Sequence, residues 1–224
     1  MSGSRYQALQ KILEKYGYTV FAPDLPGFGE NKLEKDELFF ADYVSFVKDF
    51  IQQKKLKQVI LLGHSFGGRI AIAFTALYPK MVSKLILVNA SGVIHPLTMK
   101  KRIAFVLSRL IKPFVSFPGF YSLYTYARKL VYYLLKEMDY YNAKSLAKTF
   151  TNVYRVSIVE QLSKISVPTL IVWGENDTMT PLVDGKLMHE KIKGSTFLVI
   201  KGATHRLPYE NPDVFAQEVR RFIQ

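Results

Sequence analysis

A short apolar run, Gln58-Val59-Ile60-Leu61-Leu62, leads directly into Gly63-His64-Ser65-Phe66-Gly67. Phe66 to Tyr78 then reads as a helix stopped by Pro79, and Lys84-Leu85-Ile86-Leu87-Val88 as the next strand. Strand, helix, strand at these lengths demands parallel pairing with crossover helices, so the fold class is α/β. The turn carries chemistry as well as topology. A serine hydroxyl is a poor nucleophile until a base removes its proton, and it must project where a substrate can reach it. A tight strand-to-helix turn achieves this, and Gly63 and Gly67 on either side of Ser65, with Gly68 beyond, give the room it needs. The start of the helix offers backbone N–H groups and a positive dipole end to an oxyanion, and the Phe66 N–H is the expected donor. The competing reading is an ordinary strand-to-helix turn with an unreactive serine.

The base has four candidates. His64 adjoins the nucleophile on the turn and cannot reach its hydroxyl in line, which makes it structural. His95 opens an irregular segment and His189 falls in a surface-like helix. His205, in Gly202-Ala203-Thr204-His205, follows the late apolar run Thr196–Ile200. The carboxyl ends of parallel strands share one edge of the sheet, where sites form, so His205 belongs on the same edge as Ser65. The acid that orients the imidazole has candidates after the run Thr169–Trp173, in Gly174-Glu175-Asn176-Asp177. Asp177 and Glu175 both qualify by position, whereas Asp184 falls inside a helix. Ser65, Asp177, His205 is the chain order used by the α/β nucleophile-elbow enzymes.

Around these elements the pattern is regular at both ends and broken in the middle. Arg5–Lys15 has helical spacing, with Tyr6, Leu9, Ile12 and Leu13 on one face and Gly17 as its stop. Thr19–Ala22 reads as a buried strand and Pro23–Gly29 as a turn-rich loop. Phe40–Gln53, Pro181–Lys191 and Pro212–Ile223 read as helices. From Val93 to about Tyr154 no buried strand is legible. Helical segments over Leu97–Ile111, Tyr121–Met138 and Ala143–Tyr154 fill this stretch, punctuated by Pro113 and Pro118. The chain thus divides into an α/β core, residues 1–92 and 156–224, and a helical cap, residues 93–155.

Composition narrows the chemistry. With no cysteine, disulfides, a thiolate nucleophile and a Cys-ligated metal are excluded. The net charge of +13 is concentrated in the cap, where eleven Lys and Arg oppose only Glu137 and Asp139 amid many aromatic residues. That cap reads as a solvated basic face over an aromatic pocket lining. Two functional readings compete with it: peripheral contact with an anionic membrane, and selection of an acidic substrate. No zinc-finger, RRM or P-loop pattern accompanies the charge, so no nucleic-acid partner is expected. No signal peptide and no bilayer-length apolar run is visible, so the expected location is cytoplasmic.

Together these motifs resemble the α/β-hydrolase superfamily, in its lidded, esterase-like and C–C-hydrolase-like branches, over essentially the whole chain. Pro23-Asp24-Leu25-Pro26-Gly27-Phe28-Gly29 is similar to the loop after the family's fourth strand. Gly63-His64-Ser65-Phe66-Gly67-Gly68 is similar to its nucleophile elbow, Trp173-Gly174-Glu175-Asn176-Asp177 to its acid loop, and Gly202-Ala203-Thr204-His205 to its histidine loop. The resemblance implies Ser65, Asp177 and His205 as catalytic residues, favours Asp177 over Glu175, and places the cap at 93–155. It implies no metal and no organic cofactor. Serine at the elbow argues against dehalogenase and epoxide-hydrolase chemistry, which uses Asp there. The implied activity is ester hydrolysis of a small molecule. Hydrolysis of a C–C bond in a keto-acid dienoate and a non-catalytic hydrolase-fold binding protein are the alternatives.

One departure from the family stands out. Strands one to three, and the His-Gly turn whose following loop donates a second oxyanion N–H, are not found before Ser2-Gly3-Ser4-Arg5-Tyr6. The expectation is a truncated sequence, the alternative being a chain that re-pairs its strands directly and catalyses poorly. Losing one oxyanion donor costs roughly 3–4 kcal/mol of transition-state stabilisation.

Overall fold

In a parallel sheet covered on both faces, alternate side chains of each strand enter opposite layers. The computed structural model describes residues 2–32, 37–95, 149, 152–153 and 156–224. Within them, strands β1 (Val59–His64), β2 (Val82–Val88), β3 (Thr169–Gly174) and β4 (Thr196–Ile200) pair in parallel in the order β1-β2-β3-β4. Leu85, Leu87, Ile171 and Trp173 enter one apolar layer, and Ile86, Val88, Leu170 and Val172 enter the other.

The described helices are α1 (Gln7–Lys15), α2 (Phe40–Gln53), α3 (Phe66–Leu77), the short α4 (Val159–Leu162), α5 (Leu182–Lys191), the short α6 (Leu207–Glu210) and α7 (Pro212–Ile223). The first layer receives Tyr43 and Val44 of α2, Ile70 and Phe74 of α3, Leu162 of α4 and Met188 of α5. The second receives Leu9 and Leu13 of α1, Leu207 of α6, and Phe215 and Val219 of α7. Burying each large apolar side chain contributes roughly 1.5–3 kcal/mol relative to exposure. Local chemistry sets the ends of these helices. Asp42 Oδ2 accepts the Phe39 N–H at 2.7 Å, satisfying a donor at the start of α2. Gly17, at φ +88°, supplies the left-handed residue that closes α1.

Thr19–Ala22, expected as a buried strand, is not one. A strand needs a neighbour to exchange hydrogen bonds with, and among the described residues β1 pairs only with β2 and leaves its other edge open. The segment takes other partners. Gln10 Nε2 donates to Val20 O at 3.1 Å, and Phe21 is 43% exposed. A 3-10 turn over Gly3–Tyr6 lies against Ala22, so closely that a Cβ on Gly3 would fall 2.0 Å from the Ala22 carbonyl oxygen. The sheet of the described residues is accordingly short, four strands ending at β1.

The chain divides into two compact units, Met1–Val93 with Asn152–Gln224, and Ile94–Thr151. The helical cap expected over 93–155, with its basic and aromatic residues, lies almost wholly outside the described residues. Among the described residues no helix is long and apolar enough to cross a membrane.

Candidate functional site

Because all four strands run the same way, the segments that follow them emerge at one edge. Ser65 follows β1 directly, at φ +52° and ψ −118°. A non-glycine residue held there stores about 1–3 kcal/mol of strain, which surrounding contacts must offset. They are visible: the Ser65 N–H donates to Val88 O at 3.2 Å, and Ser65 O accepts from the N–H groups of Gly68 and Ser91, both at 3.0 Å. The clearance comes from Gly63 and Gly68. A Cβ on Gly63 would sit 2.6 Å from Gly67 O, and one on Gly68 would sit 2.5 Å from Ala90 Cβ. At Gly67, which the sequence pattern suggests is needed for clearance, a Cβ would meet nothing within 4 Å among the described residues. Among the described residues no backbone carbonyl accepts from the Phe66 N–H, the expected oxyanion donor at the start of α3.

Asp177 and His205 meet. His205 Nδ1 lies 2.8 Å from Asp177 Oδ2, with the carboxylate side chain fully buried. The loop wraps that carboxylate: Oδ1 accepts the N–H groups of Met179 at 2.8 Å and Thr180 at 2.9 Å, and Oδ2 accepts the Thr180 hydroxyl at 2.7 Å. Burial pushes the Asp177 carboxyl up, but the bonds from His205 and Thr180 outweigh it and hold it below the usual carboxylate range. Glu175, the competing acid, turns instead to the Gly202 N–H at 2.8 Å and ties the two loops together. With Nδ1 facing Asp177, His205 keeps Nε2 for another partner. Among the described residues no hydrogen bond joins that nitrogen to Ser65 Oγ.

His64 is buried between two groups. Its Nε2 lies 2.8 Å from His205 O, and its Nδ1 lies 2.7 Å from the Tyr6 hydroxyl. A carbonyl can only accept, so Nε2 carries the proton and Tyr6 donates to Nδ1. Burial, followed by the neighbouring His205, pulls the His64 pKa down to about 4, so the ring is neutral at pH 7. Burial likewise pushes the Tyr6 phenol above its ordinary value and keeps it a donor. His189 and His95 are exposed, and His189 Nδ1 pairs with Ser195 Oγ at 2.9 Å.

Two residues absent from the sequence-based site complete the edge. Thr180 binds Asp177 as described. Asn89, just past β2, is fully buried, and its side-chain amide bonds both to Gly174 and to Thr204. Neither carries a motif that spacing could have flagged. Among the described residues no group of three or more His, Asp or Glu could hold a metal ion.

Residues 1–212 match the model of the family described as Serine aminopeptidase, S33. The chain belongs to this α/β-hydrolase family. The hydrolase is 29% identical over 247 residues to "Putative esterase/lipase 2" of Mycoplasma pneumoniae, covering 99% of this chain and 85% of that protein. It is 27% identical over 225 residues to "2-hydroxy-6-oxononadienedioate/2-hydroxy-6-oxononatrienedioate hydrolase" of Klebsiella pneumoniae, covering 94% of this chain and 78% of that one. Its fold matches that of an esterase from Exiguobacterium antarcticum with a TM-score of 0.74, at 23% identity, over 99% of this chain and 87% of that structure.

Proposed function

We propose that this hydrolase cleaves small-molecule carboxylic esters through an acyl-enzyme formed on Ser65. One observation carries the reading: the buried Asp177–His205 pair stands at the same sheet edge as a serine held in a left-handed elbow. His205 Nδ1 gives its proton to the bond with Asp177, which fixes the tautomer and leaves Nε2 as the base. Ser65 Oγ attacks the carbonyl carbon as Nε2 takes its proton. The oxyanion receives the Phe66 N–H. Collapse expels the alcohol, which takes the proton from Nε2. Water, deprotonated by the same nitrogen, then attacks the acyl-enzyme and releases the acid. The test is turnover of short-chain p-nitrophenyl esters with labelling by a fluorophosphonate. Both are expected in the wild-type chain and neither in Ser65→Ala. A folded wild-type chain that takes no label supports a non-catalytic binding protein instead.

A second reading rests on the similarity to the Klebsiella pneumoniae hydrolase. In it the same serine and histidine act on a C–C bond beside a carbonyl in a keto-acid dienoate. Loss of the dienoate absorbance, faster than ester turnover, would favour it.

A further inference from the structure

The turn after β2 bonds to the elbow, the acid loop and the histidine loop without contributing to the chemistry as read above. Val88 O accepts the Ser65 N–H at 3.2 Å, and the Ser91 N–H donates to Ser65 O at 3.0 Å. Between them, Asn89 Oδ1 accepts the Gly174 N–H at 2.8 Å, where β3 runs into the acid loop. Asn89 Nδ2 donates to Thr204 O at 3.1 Å, one residue before His205. The Asn89 main-chain carbonyl also lies 3.2 Å from Thr180 Oγ1, the hydroxyl that binds Asp177. Asn89 is fully buried and sits at φ +46°.

We infer that Asn89 is a positioning residue that fixes the acid loop and the histidine loop in register with the nucleophile elbow. The inference rests on the ester-hydrolase reading. The geometry is specific to an amide. One acceptor faces a backbone N–H and one donor faces a backbone carbonyl on opposite loops, and a side chain with only one of these functions satisfies one loop and leaves the other unpaired. Asparagine is also among the few non-glycine residues that tolerate a left-handed backbone. A carboxyl end of a strand that needed only a turn would be served by glycine. The side chain therefore does what a turn glycine could not: it ties Gly174 to Thr204 and so sets the spacing of the loops that carry Asp177 and His205.

Two variants test this. Asn89→Gly accepts the positive φ and loses both side-chain bonds. Asn89→Asp keeps the acceptor for Gly174 and loses the donor to Thr204. Small misplacements of reacting groups cost up to about 10²-fold in rate, so each variant is expected to lower kcat about 10- to 100-fold with KM within about twofold. The second readout needs no turnover: the downfield proton resonance of His205 Nδ1, identified by its loss in His205→Gln, should shift or broaden in both variants while circular dichroism stays native. Wild-type kcat and an unmoved resonance in folded Asn89→Gly overturn the inference. A wild-type enzyme that shows the resonance but takes no fluorophosphonate label overturns the hydrolase reading, and the resonance in the Asn89 variants still decides whether the amide holds the loops.

Discussion

Thr180 Oγ1 and His205 Nδ1 converge on one oxygen of Asp177, at 2.7 Å and 2.8 Å, while Oδ1 is occupied by two backbone N–H groups. The carboxylate is thus oriented by its own loop as well as by the histidine. Hydrogen bonds to charged groups contribute about 1.5–3 kcal/mol. Thr180→Val should therefore lower kcat/KM for a p-nitrophenyl ester about 10- to 100-fold, because the loss is spread over orientation and charge stabilisation. Thr180→Ser should restore most of it. Equal activity in Val and Ser variants would show that the hydroxyl does not matter.

Asp177 and Glu175 should separate sharply. If His205 is the base, Asp177→Asn removes the charge that would stabilise its imidazolium and presents the wrong tautomer partner, a change expected to cost about 10⁴-fold in kcat. Glu175→Gln keeps an acceptor for the Gly202 N–H and should stay within about threefold of wild type. Steady-state kinetics at pH 7.5 check both.

The glycines of the elbow make a prediction of opposite signs. Gly68→Ala pushes a Cβ to 2.5 Å from Ala90 Cβ and 2.9 Å from Ala90 Cα, so the strand must move, at a cost of about 1–3 kcal/mol. Gly67→Ala, whose Cβ meets nothing within 4 Å among the described residues, lies in a helix and should raise stability by up to about 1 kcal/mol. Urea melts of the two variants give the comparison directly. Destabilisation of Gly67→Ala by as much as Gly68→Ala would show that the space beside residue 67 is not open.

His64 ties stability to pH. Its pKa falls from 6.5 to about 4 on folding, so between those values the unfolded chain binds the extra proton. Stability from this group is fully present above pH 6.5 and is lost as pH falls toward 4, a total of roughly 3 kcal/mol. His64→Gln should flatten the fall in unfolding free energy between pH 6.5 and 4 relative to wild type. Parallel curves for the two proteins would contradict a neutral buried ring.

These predictions lean on parts of the molecule that differ in how they could be read. The path from Val59 through Ser65 into α3 was legible because hydrophobic run, glycines and helix all act within a dozen residues. His205 and Asp177 were legible as the residues after late strands, and the choice of Asp177 over Glu175 came from the family resemblance. Thr19–Ala22 misled because β-propensity describes a chain that already has a partner, and pairing is not written locally. Asn89 and Thr180 were invisible for a related reason. Their value lies in which backbone groups the fold brings to them, from Gly174, Thr204 and Asp177. Among the described residues the steric need falls on Gly68 and not on Gly67, because the pattern does not say which glycine faces Ala90.

The bond from His64 Nε2 to His205 O spans 141 residues of chain. A contact of such separation closes a long loop, whose entropy cost other contacts must offset. On the ester-hydrolase reading, a chain with only β1, α3 and β2 docked would hold the nucleophile but no base. On that reading, labelling of Ser65 by a fluorophosphonate therefore also reports that β3 and β4, with the loops that follow them, are in place.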